Sequence, residues 1–298
     1  MRRALTLALA LPLVTGPFLA ACAGTSAGVD SVGSAAKPRV VAAFYPLQYA
    51  AAQVGGSAID VTNLTQPGVE PHDLELSAQQ VGQIADADLV LYIKGFQPAV
   101  DEAIAQQAPE KAIDVSAALS TLSLDGAADP HVWLDPANMA AIGSEISSRL
   151  AEISPANANS YSTNADALTS AMSALTSEYQ AGLAVCRTKT MVVSHDAFGY
   201  LAQAFGLTQV GISGLSPEAE PSPARIKDVA DIVATEGVTT IYYETLVDPK
   251  VAQTLAEETG ATAAMLDPLE GLAADSTGDY ASVMRENLAT LITGQGCA

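Results

Sequence analysis

The sequence is poor in histidine, cysteine, tryptophan and basic residues, and these scarcities exclude several classes of protein and of binding site. Thirteen lysines and arginines stand against 33 acidic residues, which gives a formal net charge of −20. This balance argues against nucleic acid as a partner, because phosphate binding needs a basic surface. Three cysteines are too few for a disulfide scaffold or a four-thiolate zinc site. Any imidazole chemistry must use His72, His131 or His195, the only histidines of the chain.

The first residues are typical of a targeting segment. Two arginines precede an apolar run that prolines interrupt, which indicates a secretory signal peptide and not a membrane-spanning helix. Leu19–Cys22 resembles the bacterial lipobox, so we predict a signal peptide over 1–21 and lipidation of Cys22. The alternative is ordinary signal-peptide cleavage, with Cys22 incidental. The Gly/Ser-rich segment 22–38 is predicted to be a flexible tether.

Strand and helix patterns then predict an α/β fold with two lobes. They alternate over 39–136 and again over 186–298, as expected for parallel sheets flanked by helices. The intervening 137–185 lacks strand patterns and is predicted to be a helical connector that contains a long backbone helix over 156–183. Ser77 is a predicted N-cap. The predicted strands are 40–44, 59–64, 89–93, 112–116, 190–193, 209–212, 239–243 and 263–266.

Each histidine falls in its own loop. His72 follows the second predicted strand, His131 precedes the connector, and His195 follows the first strand of the second lobe. Ligands of open parallel sheets bind beyond the carboxyl ends of the strands, where His72 and His195 are expected. Because all three lie in loops that contain prolines or turns, a shared metal site is a better explanation than three separate structural roles.

Three imidazoles suit zinc, and a closed tetrahedral site needs a fourth ligand. Asp267, which follows the last predicted strand, is the predicted fourth ligand, with Glu244 as the runner-up. If Glu244 is not a ligand, we expect it to orient a histidine through the second ring nitrogen. Trp133 and Asp196 are expected to lie beside the ligands. Since imidazole binds metal in its neutral form, we expect binding to weaken as the pH falls through about 6.5.

Cys186 and Cys297 are the two cysteines beyond the predicted signal peptide and lipidation site. Thiols outside the cytoplasm tend to oxidise, which favours one disulfide that fastens the C-terminus. Two free thiols are the alternative.

Three segments together resemble a known family. Val69–Glu75, Asp129–Pro136 and Ser194–Tyr200 are similar to the metal motifs of the zinc/manganese solute-binding lipoproteins of ABC transporters, and the resemblance runs from about residue 38 to the C-terminus. It implies two α/β lobes, a backbone helix between them, one metal between the lobes, and a lipid-anchored, extracytoplasmic monomer that delivers metal to a membrane permease. The family pattern carries the ligand roles onto His72, His131, His195 and Asp267.

The same resemblance bears on the choice of metal. Manganese-type members commonly have a carboxylate where His195 stands, so the third histidine favours zinc, with manganese as the alternative. Many zinc-specific members carry a histidine-rich loop before the second motif. Here residues 117–128 contain no histidine, which argues against an accessory metal-scavenging role.

Two other functions compete with metal delivery. A zinc hydrolase would use the three histidines with an open coordination position and Asp267 or Glu244 as the base, but no His-Glu-x-x-His segment occurs. A two-lobed binding protein for an organic ligand such as a siderophore is disfavoured, because basic residues that could hold an anionic chelate are scarce. Adhesion by the acidic surface is left as a weak secondary role, although no single residue points to it.

Overall fold

The computed structural model describes residues 36–124 and 126–298, of which 37–298 form one compact unit. The predicted signal peptide over 1–21, the lipidation site Cys22 and most of the predicted tether over 22–38 lie outside the described residues. None of the helices in the described part of the chain is long and apolar enough to cross a membrane.

The first half contains a parallel four-stranded sheet. Its strands are Arg39–Ala42 (β1), Asp60–Asn63 (β2), Leu89–Tyr92 (β3) and Ala112–Asp114 (β4), and the helices after the first three are Tyr45–Gly55 (α1), Ala78–Asp86 (α2) and Pro98–Gln107 (α3). The strand order is β2-β1-β3-β4. Ser77 caps α2 as predicted, since its side chain accepts a hydrogen bond from the backbone N–H of Gln80. A short antiparallel pair, Ser123–Leu124 (β5) and Ala127–Ala128 (β6), was not predicted.

Two helices, Pro136–Ile153 (α4) and Ala158–Gly182 (α5), form the connector and pack along each other. At about 1.5 Å per residue, α5 is about 37 Å long. The helices approach closely at Gly143, where a Cβ atom would lie 2.6 Å from Cδ2 of Leu168. One stripe of α5 at helical spacing is buried, and it comprises Tyr161, Ala165, Leu168, Met172, Leu175 and Tyr179.

The second half repeats the architecture with four more parallel strands. These are Thr190–Val193 (β7), Thr208–Gly211 (β8), Thr240–Tyr243 (β9) and Thr262–Met265 (β10), with helices Gly199–Phe205 (α6), Pro223–Glu236 (α7), Lys250–Thr259 (α8) and Tyr280–Gly294 (α9). The strand order is β10-β9-β7-β8. The predicted fold class, two α/β halves with parallel sheets, is therefore confirmed.

The connector joins the two halves through a shared apolar core. Buried residues of α1, α4, α5 and α9 belong to one continuous hydrophobic cluster. Within it, the hydroxyl of Tyr179 on α5 donates a 2.6 Å hydrogen bond to the backbone carbonyl of Met284 on α9. Beyond α5, Cys186 and Cys297 are joined in a disulfide, so the C-terminal end of the chain is tied to the segment that precedes β7.

Candidate metal centre

Four side chains converge where the loops of both halves meet. Nε2 of His72, His131 and His195 lies 3.3, 3.2 and 3.0 Å, respectively, from Oε1 of Glu270. All four ligand atoms lie within 4.8 Å of one another, and no other cluster of this kind occurs in the part of the chain that the structure describes. The arrangement offers three imidazole nitrogens and one carboxylate to a single ion.

The topology explains why these residues meet. His72 lies in the loop after β2, His195 is the second residue after β7, and Glu270 lies in the loop after β10. Loops at the carboxyl ends of parallel strands gather along one edge of each sheet. His131 does not follow a strand of either four-stranded parallel sheet directly. It lies immediately before a short 3₁₀ turn, Val132–Leu134, that leads into α4. The sheets and the connector thus each contribute to one centre.

The fourth residue corrects the sequence-based assignment. The structure brings Glu270, not Asp267, to the three histidines. The carboxylate of Asp267 instead accepts a 2.7 Å hydrogen bond from the backbone N–H of Leu269, and burial raises its pKa to about 6. Glu270 stands only three positions further in the same loop, so the loop was identified and the residue was not. The signal that could have found it is an acidic residue within the otherwise apolar stretch after Pro268.

Two carboxylates orient two of the three imidazoles through their second ring nitrogen, Nδ1. Oε1 of Glu244 lies 2.9 Å from Nδ1 of His195, the orienting position anticipated for this residue, and it also accepts a 2.7 Å hydrogen bond from the hydroxyl of Ser194. Oδ1 of Asp129 lies 2.7 Å from Nδ1 of His131. The role of Asp129 was missed, although its position in the Asp-Pro-His segment could have suggested it. A carboxylate at Nδ1 holds the proton there and leaves the Nε2 lone pair for a metal.

The other residues expected beside the ligands differ in their contacts. Trp133 is fully buried, its ring centre is 5.2 Å from that of His131, and its Nε1–H donates to the carbonyl of Pro268. Asp196 accepts a 3.0 Å hydrogen bond from the amide of Gln209 and forms none with a ligand imidazole within the described residues, because its side chain is turned toward β8.

The site is buried, and its ionisable groups shift one another's pKa values. Burial by itself lowers the pKa of His195, but Glu270 and Glu244 outweigh burial and raise this pKa to about 10. The pKa of His131 is also raised, because Asp129 and Glu270 outweigh its burial. Burial would raise the pKa of Glu270, yet the three imidazoles hold it well below its usual range. The raised pKa values of His131 and His195 favour the protonated imidazoles beside an ionised Glu270, so an incoming cation competes with protons for these two rings.

The sequence matches, over residues 40–294, the family described as zinc-uptake complex component A, periplasmic. The chain belongs to this family. The family resemblance inferred from the three histidine motifs is thereby confirmed.

Relatives of the zinc-uptake family share most of this chain. The zinc-binding protein AdcA of Streptococcus pyogenes serotype M6 is 34% identical over 285 residues, which cover 86% of this chain and 55% of that protein. The chain thus spans about half the length of the AdcA relatives it matches. The high-affinity zinc uptake system protein ZnuA of Bacillus subtilis strain 168 is 31% identical over 300 residues, with 92% of each chain covered.

A solved structure has the same fold. The Zn(II)-bound ZnuA-like domain of AdcA from Streptococcus pneumoniae has a TM-score of 0.77 and 34% sequence identity, and the similarity covers 87% of this chain and 99% of that domain. The part of AdcA that this chain resembles is therefore its ZnuA-like domain, which that structure shows with Zn(II) bound.

The donor set of this family member is chemically suited to zinc. Zinc prefers four-coordinate tetrahedral sites built from nitrogen, sulfur and carboxylate ligands. A catalytic zinc usually keeps three protein ligands and one position open for water, whereas four protein side chains converge here. His72 is the least buried of the four, with 11% of its side chain exposed against 0–1% for the others. The site is therefore most accessible on the side of His72.

Proposed function

We propose that this protein captures zinc outside the cytoplasm and delivers it to the membrane permease of an ABC transporter for uptake. The observation that carries the proposal is the convergence of His72, His131, His195 and Glu270 within 4.8 Å in a buried position between the two halves. A site that encloses its cargo with protein ligands suits capture and transport, because no position is left for a reacting substrate.

Zinc is the proposed cargo, and manganese is the weaker alternative. Imidazole is a better ligand for Zn²⁺ than for the harder Mn²⁺, and three of the four donors are imidazoles. The names of the relatives, a zinc-binding protein and a high-affinity zinc uptake protein, support the same choice.

We also propose that a lipid anchor attaches the protein to the outer face of the cell membrane. Residues 1–21 would act as the signal peptide, Cys22 would carry the lipid, and 22–38 would form a tether to a monomeric globule. The globule would consist of an N-terminal lobe over 39–136, a connector over 137–185 and a C-terminal lobe over 186–298. Mass spectrometry of the N-terminal peptide from the native membrane would detect a lipidated Cys22, and an unmodified cysteine there would contradict the anchor.

The test of the cargo is direct metal analysis. The purified protein should bind one zinc ion per chain, and His195→Ala and Glu270→Ala should each lose most of it, as measured by mass spectrometry of bound metals after equilibration with zinc and manganese together. Glu258→Ala, which removes an exposed carboxylate on α8, is the matched control and should bind zinc like the wild type. Preferential manganese occupancy, or full zinc occupancy in both site variants, would overturn the proposal.

A further inference from the structure

The loop that carries Glu270 has an unusual backbone. Leu269, the residue before it, has φ +55°, and it is the only non-glycine residue with positive φ in the described chain. Residues other than glycine, asparagine and aspartate avoid this left-handed region, because Cβ crowds the following carbonyl. A branched, fully buried leucine keeps this conformation only where the surrounding structure enforces it.

Asp267 supplies that enforcement from within the loop. Its Oδ1 accepts the 2.7 Å hydrogen bond from the N–H of Leu269, two positions further along the chain, which closes an Asx turn. Its own backbone is fixed by the side chain of Asn287 on α9. The N–H of Asp267 donates to Oδ1 of Asn287 at 2.9 Å, and Nδ2 of Asn287 donates to the carbonyl of Asp267 at 2.7 Å.

Other contacts hold the rest of the loop in the same place. Nε1–H of Trp133 donates a 2.8 Å hydrogen bond to the carbonyl of Pro268, and the N–H of Gly68 donates one of 2.8 Å to the carbonyl of Leu272. Both donors belong to the first half of the chain, whereas the turn itself depends on Asp267 and Asn287. The left-handed residue directly precedes Glu270, so its backbone angles set the direction in which the Glu270 side chain leaves the loop.

We propose that Asp267 is a positioning residue for zinc, which holds the Glu270 carboxylate among the three imidazoles through the turn at Leu269 and the anchor on Asn287. This inference rests on the proposed function, since it concerns the same zinc site. It assigns Asp267 an indirect role, in which the hydrogen-bond acceptor matters and the negative charge does not. Asparagine at this position should therefore serve nearly as well, because its side-chain carbonyl closes the same turn and the amide group has the same shape.

The test compares Asp267→Ala with Asp267→Asn by chelator competition for zinc. We expect Asp267→Ala to weaken zinc binding about 10- to 100-fold, the usual effect of removing a group that orients a ligand. Asp267→Asn should stay within about threefold of the wild type, because it keeps the acceptor. Asp114→Ala is the matched control, since Oδ1 of Asp114 accepts the N–H of Ser116 in the same kind of turn at the end of β4 and contacts none of the four site residues.

A second readout separates positioning from a general loss of stability. The visible absorption of Co²⁺ bound in place of zinc reports the ligand set and geometry. The Co²⁺ spectrum of Asp267→Ala should match that of Glu270→Ala, whereas a variant that is only less stable would keep the wild-type spectrum and melt at a lower temperature. If Asp267→Ala does not fold, Asp267→Ser replaces it, and its weaker hydroxyl turn should give an intermediate loss of affinity.

The outcomes distinguish this inference from the proposed function. A wild-type protein that binds no zinc defeats the proposed function before any variant is compared. If the wild type binds zinc, unchanged affinity in Asp267→Ala or Asp267→Ser would overturn the positioning role. So would an Asp267→Asn variant as weak as Asp267→Ala, because the charge of Asp267 and not its turn would then matter.

Discussion

Nδ1 of His195 lies 2.9 Å from Oε1 of Glu244, and both side chains are buried. This pairing holds the imidazole with Nε2 directed toward Glu270, which lies 3.0 Å away. Carboxylates in this position raise the affinity of histidine ligands, because they fix the tautomer and the ring orientation and increase the basicity of the coordinating nitrogen.

Removal of Glu244 should therefore weaken zinc binding without removing a ligand. We expect Glu244→Ala to lower the affinity about 10- to 100-fold, and Glu244→Gln to lower it less, because glutamine still offers an acceptor to Nδ1–H. Chelator competition measures the affinity. Glu236→Ala, an exposed carboxylate at the end of α7, serves as the control and should behave like the wild type. Equal affinity in Glu244→Ala and the control would refute the orienting role.

The carboxylate of Glu270 should also govern the titration of the histidine beside it. Glu270 raises the pKa of His195 both by its charge and by its hydrogen bond. In the metal-free Glu270→Gln variant, the pKa of His195 should move down from about 10, because the neutral amide no longer stabilises the imidazolium. NMR titration of the histidine ring signals would follow this change. An unchanged pKa would mean that Glu244 alone sustains the shift.

Zinc affinity should rise with pH across the neutral range. Protons and zinc compete for Nε2, and a pKa of about 10 means that metal-free His195 holds its proton at neutral pH. Each proton displaced on binding gives up to about a tenfold gain in affinity per pH unit below that pKa. The window therefore extends well above the value near 6.5 expected from unperturbed imidazole. Calorimetry in buffers of different ionisation enthalpy counts the protons, and a constant affinity from about pH 6 to 9 would contradict the competition.

Zinc binding should change the overall shape only slightly. Helix α5 contributes to the apolar core shared by both halves, and the Tyr179–Met284 hydrogen bond attaches it to α9. A long packed helix resists bending more than a loop hinge does, so release is expected to use a loop shift or a small lobe motion. Small-angle scattering with and without zinc should give nearly equal radii of gyration. A closure of many ångströms would show that the connector acts as a flexible hinge.

The disulfide should contribute to stability and little to zinc affinity. Cys186 and Cys297 are 111 residues apart in sequence, and a cross-link that closes so long a loop restricts the unfolded chain strongly. The double variant Cys186→Ala/Cys297→Ala should lose about 2–5 kcal/mol of unfolding free energy. Denaturant unfolding of the zinc-free protein measures the loss. Because neither cysteine contacts the four site residues, a large fall in zinc affinity at a temperature where the variant is folded would be unexpected.

Local patterns were sufficient for most of the fold. The helix predicted over 156–183 is Ala158–Gly182, and the strand predicted over 263–266 is Thr262–Met265. Apolar periodicity, N-caps and prolines act within a few residues, so they can be read directly from the chain. The strand predicted over 112–116 ends earlier, at Asp114, because its carboxylate accepts the N–H of Ser116 and turns the chain.

The sequence by itself determined that three histidines lie in three separate loops, and it predicted Asp267, with Glu244 as the runner-up, as the acidic residue that joins them. The tertiary structure decided that Glu270, and not Asp267, lies beside the three histidines. The decision depends on the left-handed backbone of Leu269, on Asn287 of a later helix and on Trp133 of the first half. A leucine gives no local indication of positive φ, and hydrogen bonds between residues 20 and 135 positions apart exist only after the chain has folded.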